Sequence, residues 1–515
     1  MDSAILLSIV LCYFAMLLGI AFYTSRHSNN DSFFIGNRNS KWWIVAFGMI
    51  GTSLSGMTFI SVPGTVGKTG FNYFHVAIGY WLGYFVVAFV LLPLYYKMKL
   101  TSIYTYLDKR LGNTAYKTGA LFFILSRTLG ATIRLYLVIK VLEKFVLQDM
   151  GISFEVTAIV ILGLILLYTF RGGVKTIVWT DTLQTTFMLL ALVVCVIYIM
   201  HVLHFDLHST WLAMRQKGYT DMSQTDPKQA NFFLKQILGG AFVTIAMTGL
   251  DQEMMQKNIS VSNLKDSKKN MISFCFVMVA ANFVFLLLGG LLYLYATTKG
   301  ITATGDDLFP TIAVKSGLPF YITVCFLIGL ISAVFPSADG ALTALTSSFC
   351  IDILGIRNKK GMTEKQQKRT RLAVHNVFAV IFLICIFMFR RVDNGSLIQT
   401  LLVVAGYTYG PLLALFAFGI FTRRNVRSYF VPLICLVSPV ICYILKQNEK
   451  QWLNGYSIGT ELLIINASLA FLLLLLCSRK GSTFIAANTE HERTINEDQT
   501  AGLDGNEGAL QLADF

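Results

Sequence analysis

Apolar runs of about 18 to 25 residues recur along nearly the whole chain, each long enough to cross a hydrocarbon core of roughly 30 Å as a helix. They fall near residues 4 to 23, 42 to 67, 72 to 96, 118 to 146, 154 to 171, 176 to 203, 232 to 254, 270 to 296, 319 to 346, 372 to 389, 396 to 421, 428 to 445 and 460 to 477. Only helices and closed barrels satisfy their own backbone in lipid. The pattern therefore predicts an all-α polytopic membrane protein with about 13 transmembrane helices, the lipid bilayer being its first partner. Charged residues make up only 14% of the 515 residues, against about 25% in an average soluble domain. The first run opens MDSAILL, acidic where a signal peptide is basic and without a small-residue cleavage pattern, so it is expected to remain as a helix.

Lys and Arg crowd alternate connections: Arg26, Arg38 and Lys41; Lys97, Lys99, Lys109 and Arg110; Lys257, Lys265, Lys268 and Lys269; seven residues from Arg357 to Arg371; and Arg423, Arg424 and Arg427. The other connections are poorer, with Arg215, Lys217, Lys228, Lys299, Lys315, Lys446 and Lys450 as their main basic residues. Positive charge marks the cytoplasmic side, so the N-terminus is expected outside, the C-terminus inside, and the chain in the plasma (inner) membrane. The net charge of +14 is read as this bias, not as a nucleic-acid surface. Most of the nine cysteines lie in apolar runs and read as small buried hydrophobes. No cofactor loop, nucleophile elbow or metal-ligand cluster marks an enzyme.

Span two contains GMIGTSLSGMTFISVPG, and span seven contains GGAFVTIAMTGLDQ. Both are too rich in glycine and hydroxyls for helices that face only lipid. They stand five spans apart, the offset expected if spans two to six (42–203) and seven to eleven (232–421) form inverted five-helix repeats. The helix at 4–23 precedes them, two more at 428–477 follow, and the membrane-spanning part ends near residue 480. Residues 481–515 turn acidic and polar and are expected to be disordered.

Ionisable groups inside a span are costly and face a cavity or a partner. Asp181, Asp339, Arg127 and Arg134 are such groups. Asp339 belongs to ISAVFPSADGALTAL in span nine. On a helix, Ala333, Pro336, Ser337, Gly340 and Ala344 share one face, while Ser332, Asp339, Thr343 and Thr346 share the next. Pro336 deprives the Ser332 carbonyl of its donor. Free carbonyls, a hydroxyl and a carboxylate suit a hard cation; a proline kink with Asp339 paired to Arg127 or Arg134 suits the same residues.

The segment YTFRGGVKTIVWTDTLQ, residues 168 to 184, resembles the signature of the sodium:solute symporter family. GTSLSGMTFISVPG, GLDQEMMQKNIS, ADGALTALTSSFCIDIL and GYTYGPLLALFAFGIFTRR are similar to family patterns in the same order, and the likeness covers residues 1 to about 480. The resemblance implies a leucine-transporter-type five-plus-five inverted repeat core and symport of a small solute driven by Na⁺. It implies a principal Na⁺ site between spans two and nine, formed by Gly51, Leu54 and Ala333 through their backbones and by the hydroxyl of Ser337. Pro336 departs from the Ser or Thr common at its position, which leaves this site one hydroxyl fewer. Some members hold a second cation on an aspartate matched by Asp181, with polar residues of span nine; here those are Asp339 and Gly340, and the cation would be Na⁺ or a proton.

By the same resemblance the solute lies among Ser53, Ser55 and Thr58, Asn72, His75 and Tyr80, Thr248 and Gln252, and Tyr407. Sialic acid transporters hold a carboxylate with an arginine whose aligned position here is Gly130; Arg127 and Arg134 flank it, three residues before and four after. The expected solute is small, polar and organic: a sugar, a sugar acid such as sialic acid, an amino acid or a carboxylate. A proton-coupled relative and a transporter-like sensor are the alternatives, and oligomeric state is not readable.

Overall fold

A computed structural model describes residues 3–24, 40–356, 362–392 and 397–480, without the side chains of 3, 4, 168, 170–176, 392 and 480. The acidic tail 481–515 and the basic residues Arg26, Arg38, Arg357, Lys359 and Lys360 lie outside the described residues.

In chain order the helices are α1 (Ser3–Thr24), α2 (Trp42–Ser53), α3 (Gly56–Thr69), α4 (Tyr73–Lys97), α5 (Thr105–Leu111), α6 (Asn113–Leu142), α7 (Phe154–Val202) and α8 (Leu207–Gln216). There follow α9 (Phe233–Gly249), α10 (Gln252–Ile259), α11 (Leu264–Lys299), α12 (Phe320–Ser348), α13 (Glu364–Val392), α14 (Leu397–Phe421), α15 (Phe430–Gln447) and α16 (Leu462–Leu476). Among the described residues, strands are confined to β1 (Arg424–Val426) and β2 (Ser478–Lys480), paired antiparallel.

Among the described residues nine helices are long and apolar enough to cross a membrane, or eleven if each of two bent pairs is one span. Phe154–Leu167 and Leu462–Leu476 are shorter apolar helices at two further expected positions. The spans expected separately at 154–171 and 176–203 join into the single helix α7, since no proline interrupts the linking residues.

The bent pairs are α2 with α3, at 56°, and α9 with α10, at 63°. Each stands at the head of one of the two expected five-helix repeats. Leu54 and Ser55 take non-helical dihedrals at the first bend. At the second, Asp251 is extended and its carboxylate accepts from the amides of Glu253 (2.9 Å) and Met254 (3.2 Å), capping α10.

Close packing of α4 on α9 depends on two glycines. A Cβ at Gly79 would stand 2.2 Å from the Ile237 carbonyl oxygen, and one at Gly240 would stand 2.4 Å from that of Val76. Helix α12 lies along α7, and α1 packs on both. There the Tyr13 hydroxyl meets Ser332 Oγ at 2.6 Å.

Helix α14 contains Pro411, which cannot donate to the Tyr407 carbonyl. Asn466 Nδ2 of α16 supplies the missing donor, reaching the carbonyls of Tyr407 (2.9 Å) and Gly406 (3.0 Å). At the far end, the Arg110 guanidinium donates to the carbonyls of Gly419 (3.1 Å), Thr422 and Arg424 (3.3 Å) and to Asn425 Oδ1 (3.3 Å).

Candidate ion and solute site

A break in a helix frees carbonyls, and the two breaks treat theirs differently. At the second, Tyr95 donates its hydroxyl to the Gly249 carbonyl (2.8 Å) and Tyr104 donates to that of Leu250 (2.9 Å). Gln252 is held at both ends of its amide, by the Thr101 carbonyl and the Ile103 amide, each at 3.0 Å. This break is closed by protein donors.

The first break is not. Leu54 N donates to the Ile50 carbonyl (2.7 Å), and Ser55 N turns to Ser53 (3.1 Å) rather than to Gly51. Among the described residues the carbonyls of Gly51 and Leu54 accept no hydrogen bond. Ser337 Oγ of α12 reaches into the same break and donates to the Thr52 carbonyl at 3.1 Å. Ala333, one turn earlier, is fully buried. The Pro336 ring packs against the break: a Cβ built on Gly51 would lie 3.5 Å from Pro336 Cγ. Unbonded buried carbonyls beside a hydroxyl suit Na⁺. These residues fit the ion, with Pro336 contributing shape but no oxygen. Ser337→Ala should weaken Na⁺ binding about three- to tenfold, the worth of one lost polar contact of about 0.5–1.5 kcal/mol. The check is the Na⁺ concentration that gives half-maximal thermal stabilisation.

Beside the first break lies a cavity of about 60 Å³, lined by Ser53, Ser55, Thr58, Tyr73, Tyr80 and Arg134, with Asn282 of α11 and apolar residues of α9 and α14. Arg134 is 9% exposed, and among the described residues its guanidinium makes no hydrogen bond or ion pair. A larger cavity of about 220 Å³ contains Asn72 and Gln236. Tyr73, Ile398 and Leu402 line both cavities and form the wall between them.

The remaining sequence candidates stand elsewhere. Asn72 donates to the Asn231 carbonyl (3.0 Å) and stands 3.4 Å from His75 Nδ1, and the His75 ring tilts against Phe233. Thr248 is buried next to the second break. Tyr407 is turned to Tyr443 and the C-terminal helices. Tyr73, Asn282, Ile398 and Leu402 were not singled out in the sequence. Tyr73 opens the span next to the named Asn72, but an asparagine at 282 and apolar residues at 398 and 402 carry no distinguishing signal.

Arg127 is not in the cavity. It is ion-paired with Glu253, and its Nε lies 3.7 Å from Asp251 Oδ2, which also accepts from Tyr409 (3.3 Å). Asp181 is paired with neither arginine. Its Oδ2 lies 2.7 Å from Lys257 Nζ and accepts from Thr52 Oγ1 at 3.2 Å. Lys257 is only 2% exposed, although the sequence grouped it with the basic connections. The bend at 250–251 carries it inward on α10, and its position four residues after Glu253 (3.3 Å) is the helical signal for the pair. Asp339 is fully buried, with one carboxylate oxygen on the Gly340 amide.

A membrane bundle with a broken helix at each repeat, free carbonyls at one break and a polar cavity beside it has the architecture of a secondary active transporter. The model of the sodium:solute symporter family matches residues 33–428. The chain belongs to that family: it is a membrane-embedded, Na⁺-coupled symporter of a small solute and not an enzyme.

Among curated relatives, the chain is 24% identical to the sodium/sialic acid symporter SiaT of Proteus mirabilis, over 83% of this chain and 86% of that one. It is 25% identical to the sodium-coupled monocarboxylate transporter 1 of Homo sapiens (78% and 66%) and to a putative sodium-dependent multivitamin transporter of Drosophila melanogaster (86% and 74%). Among solved structures, the substrate-bound, outward-open state of a Na⁺-coupled sialic acid symporter with a novel Na⁺ site superposes with a TM-score of 0.79 at 20% identity, covering 92% of this chain and 98% of that one. A nucleobase-cation-symport-1 family transporter, Mhp1, in a closed conformation superposes with a TM-score of 0.54 at 12% identity, covering 87% and 95%. The fold is thus the leucine-transporter type that the family resemblance implied.

Proposed function

We propose that the solute is a small organic anion, a carboxylate bearing hydroxyl or amide groups, imported together with Na⁺. The observation that carries this reading is Arg134, a buried guanidinium that among the described residues makes no hydrogen bond or ion pair, in a cavity lined also by the hydroxyls of Ser53, Ser55, Thr58, Tyr73 and Tyr80 and by apolar side chains. A buried cation of this kind is expensive unless something anionic meets it, and the planar fork suits a carboxylate. Ser53, Ser55, Thr58, Tyr73, Tyr80 and Asn282 then serve the solute's polar groups. Two of the relatives are named for acids, sialic acid and monocarboxylates.

Na⁺ in this reading sits at the first break, on the carbonyls of Gly51, Leu54 and Ala333 and the Ser337 hydroxyl. Ser53 and Ser55 come from the same break, so the ion organises the wall that the solute touches. A ligand shifts only equilibria in which its affinities differ; Na⁺ therefore raises solute affinity by ordering the break. Tyr73, Ile398 and Leu402 form the door between the two cavities. The inner cavity is well below the roughly 300 Å³ of a typical ligand site, so the door and wall move apart to admit solute. In this reading the basic connections face the cytoplasm of the plasma (inner) membrane, with the N-terminus outside and the C-terminus inside.

A thermal-unfolding screen of sugars, sugar acids, amino acids and simple carboxylates, with Na⁺ and with choline in its place, tests the reading. Stabilisation by carboxylates that requires Na⁺ is the expected result. Stabilisation by neutral sugars alone would sink the assignment of Arg134, and stabilisation indifferent to Na⁺ would favour proton coupling.

A further inference from the structure

The position expected to hold a second cation is already filled. The ammonium of Lys257 meets three oxygens from three different elements: Asp181 Oδ2 of α7 at 2.7 Å, Thr52 Oγ1 of α2 at 2.6 Å and Glu253 Oε1 of α10 at 3.3 Å. An ammonium has three donors, and here each has an acceptor. The group is a compact positive charge surrounded by a carboxylate, a hydroxyl and a second carboxylate, the oxygen types that a hard cation takes. The Thr52 hydroxyl donates to Asp181 Oδ2 (3.2 Å), with the Gly48 carbonyl also within reach at 3.4 Å, and turns a lone pair toward the ammonium.

Of the other two expected contributors, Asp339 has one carboxylate oxygen on the Gly340 amide, and Gly340 is itself covered. A Cβ at Gly340 would stand 2.0 Å from Glu253 Oε1, so the Glu253 carboxylate lies flat on the α12 backbone there. Of the two Asp181 oxygens, only Oδ1 lacks a hydrogen-bond partner among the described residues; with the Thr343 hydroxyl, one turn past Asp339 and also unpartnered, that makes two oxygens, fewer than a hard cation takes. A Na⁺ entering beside Lys257 would face a like charge in a buried site.

We propose that Lys257 is a tethered cation that replaces the second coupling ion at Asp181, so that this symporter binds a single Na⁺, the one at the first break. The inference rests on the Na⁺ symport reading and adds the ion count to it. It also explains the placement of the lysine. Thr52 bonds the lysine through its side chain and Ser337 through its carbonyl, so the fixed charge is one residue from the exchangeable one. The transported ion comes and goes while the tethered one holds α10, α7 and α2 together.

The test counts ions without transport. The unfolding midpoint of the purified full chain is followed against NaCl, with choline chloride keeping ionic strength constant; the slope against the logarithm of Na⁺ reports the number of ions bound. The wild-type protein should give the slope of one ion. Lys257→Met, which keeps the apolar stem and removes the charge, should double it. The Lys257→Met/Asp181→Asn double variant, which removes both charges and restores balance, should return it to one. Asp181→Asn alone should leave the slope at one.

A wild-type slope of two ions, or a loss of one ion in Asp181→Asn alone, overturns the proposal. A Lys257→Met slope that stays at one also overturns it, because the lysine then excludes nothing. No response to Na⁺ in the wild-type protein is a different failure: it removes the Na⁺ reading itself. If Lys257→Met does not fold, the wild-type and Asp181→Asn slopes still decide the question.

Discussion

Arg134→Ala should weaken binding of carboxylate solutes at least about thirtyfold and leave the protein no less stable. The two halves of this expectation have one cause. Truncating one partner of a buried, hydrogen-bonded charge pair costs about 2–5 kcal/mol, or thirtyfold and upward in affinity. Ordinarily such a truncation also damages the protein, because its partner stays behind unpaired. In the proposed reading the missing partner is the solute: among the described residues nothing pairs with Arg134, so removing it leaves no orphaned counter-charge. Arg134→Lys should fall between, retaining the charge but not the two-pronged geometry. Solute binding and unfolding midpoints measured on the same preparations check both halves. A fall in stability with unchanged solute affinity would mean that the guanidinium only supports the bundle.

Glu253→Ala should have the opposite signature, a loss of about 3–5 kcal/mol in stability, the usual cost of removing one member of a buried ion pair. Glu253 is shared by two cations, Arg127 and Lys257, and is itself 3% exposed. Without it Arg127 retains, among the described residues, only Asp251, at 3.7 Å, and that carboxylate is already engaged by the α10 amides and by Tyr409. The alanine would also open a void against Gly340, where the carboxylate now lies. Thermal unfolding compares Glu253→Ala with the Arg127→Met/Glu253→Ala pair; the pair should recover part of the loss, since it no longer buries an uncompensated guanidinium. An unfolding midpoint unchanged in Glu253→Ala would mean that the network contributes nothing.

The contrast between these two arginines marks how far the sequence could be read. Both were visible as ionisable groups within one apolar run, and the cost of such groups in lipid made them candidates. Their partners were not visible. Asp181 and Asp339 stood out because they lie well inside runs, whereas Asp251 and Glu253 fall at the very end of the run 232 to 254 and Lys257 just beyond it, where charge looks like the start of a connection. The 63° bend at 250–251 reverses that assignment, because α10 turns back into the protein and buries all eight of its residues.

The breaks themselves were legible. Runs such as GTSLSG have too few side chains to hold a helix against lipid, and Gly51 in particular leaves no Cβ to meet Thr185 Oγ1, which would be only 2.3 Å away. What the residues do not say is which break keeps its carbonyls free. That depends on Tyr95 and Tyr104, whose ordinary-looking hydroxyls close the second break from 146 residues or more away in the chain.

The restraints on α14 bear on the door. Its C-terminal end is held by Arg110, which bonds Gly419 and three groups just past the helix, and its middle, at Pro411, has lost a backbone bond and borrowed one from Asn466. Ile398 and Leu402 sit beyond that point, at the N-terminal end. The helix is therefore a lever with a fixed foot and a softened fulcrum. From Pro411 to Ile398 is an arm of about 20 Å at 1.5 Å per residue, so a swing of about 10° moves its tip by about 3.5 Å. That is the width of a methyl group, gained at the doorway while the foot stays still. If Ile398 and Leu402 form the proposed door, the same arm gives a substitution at Asn466 leverage over solute entry from outside both cavities.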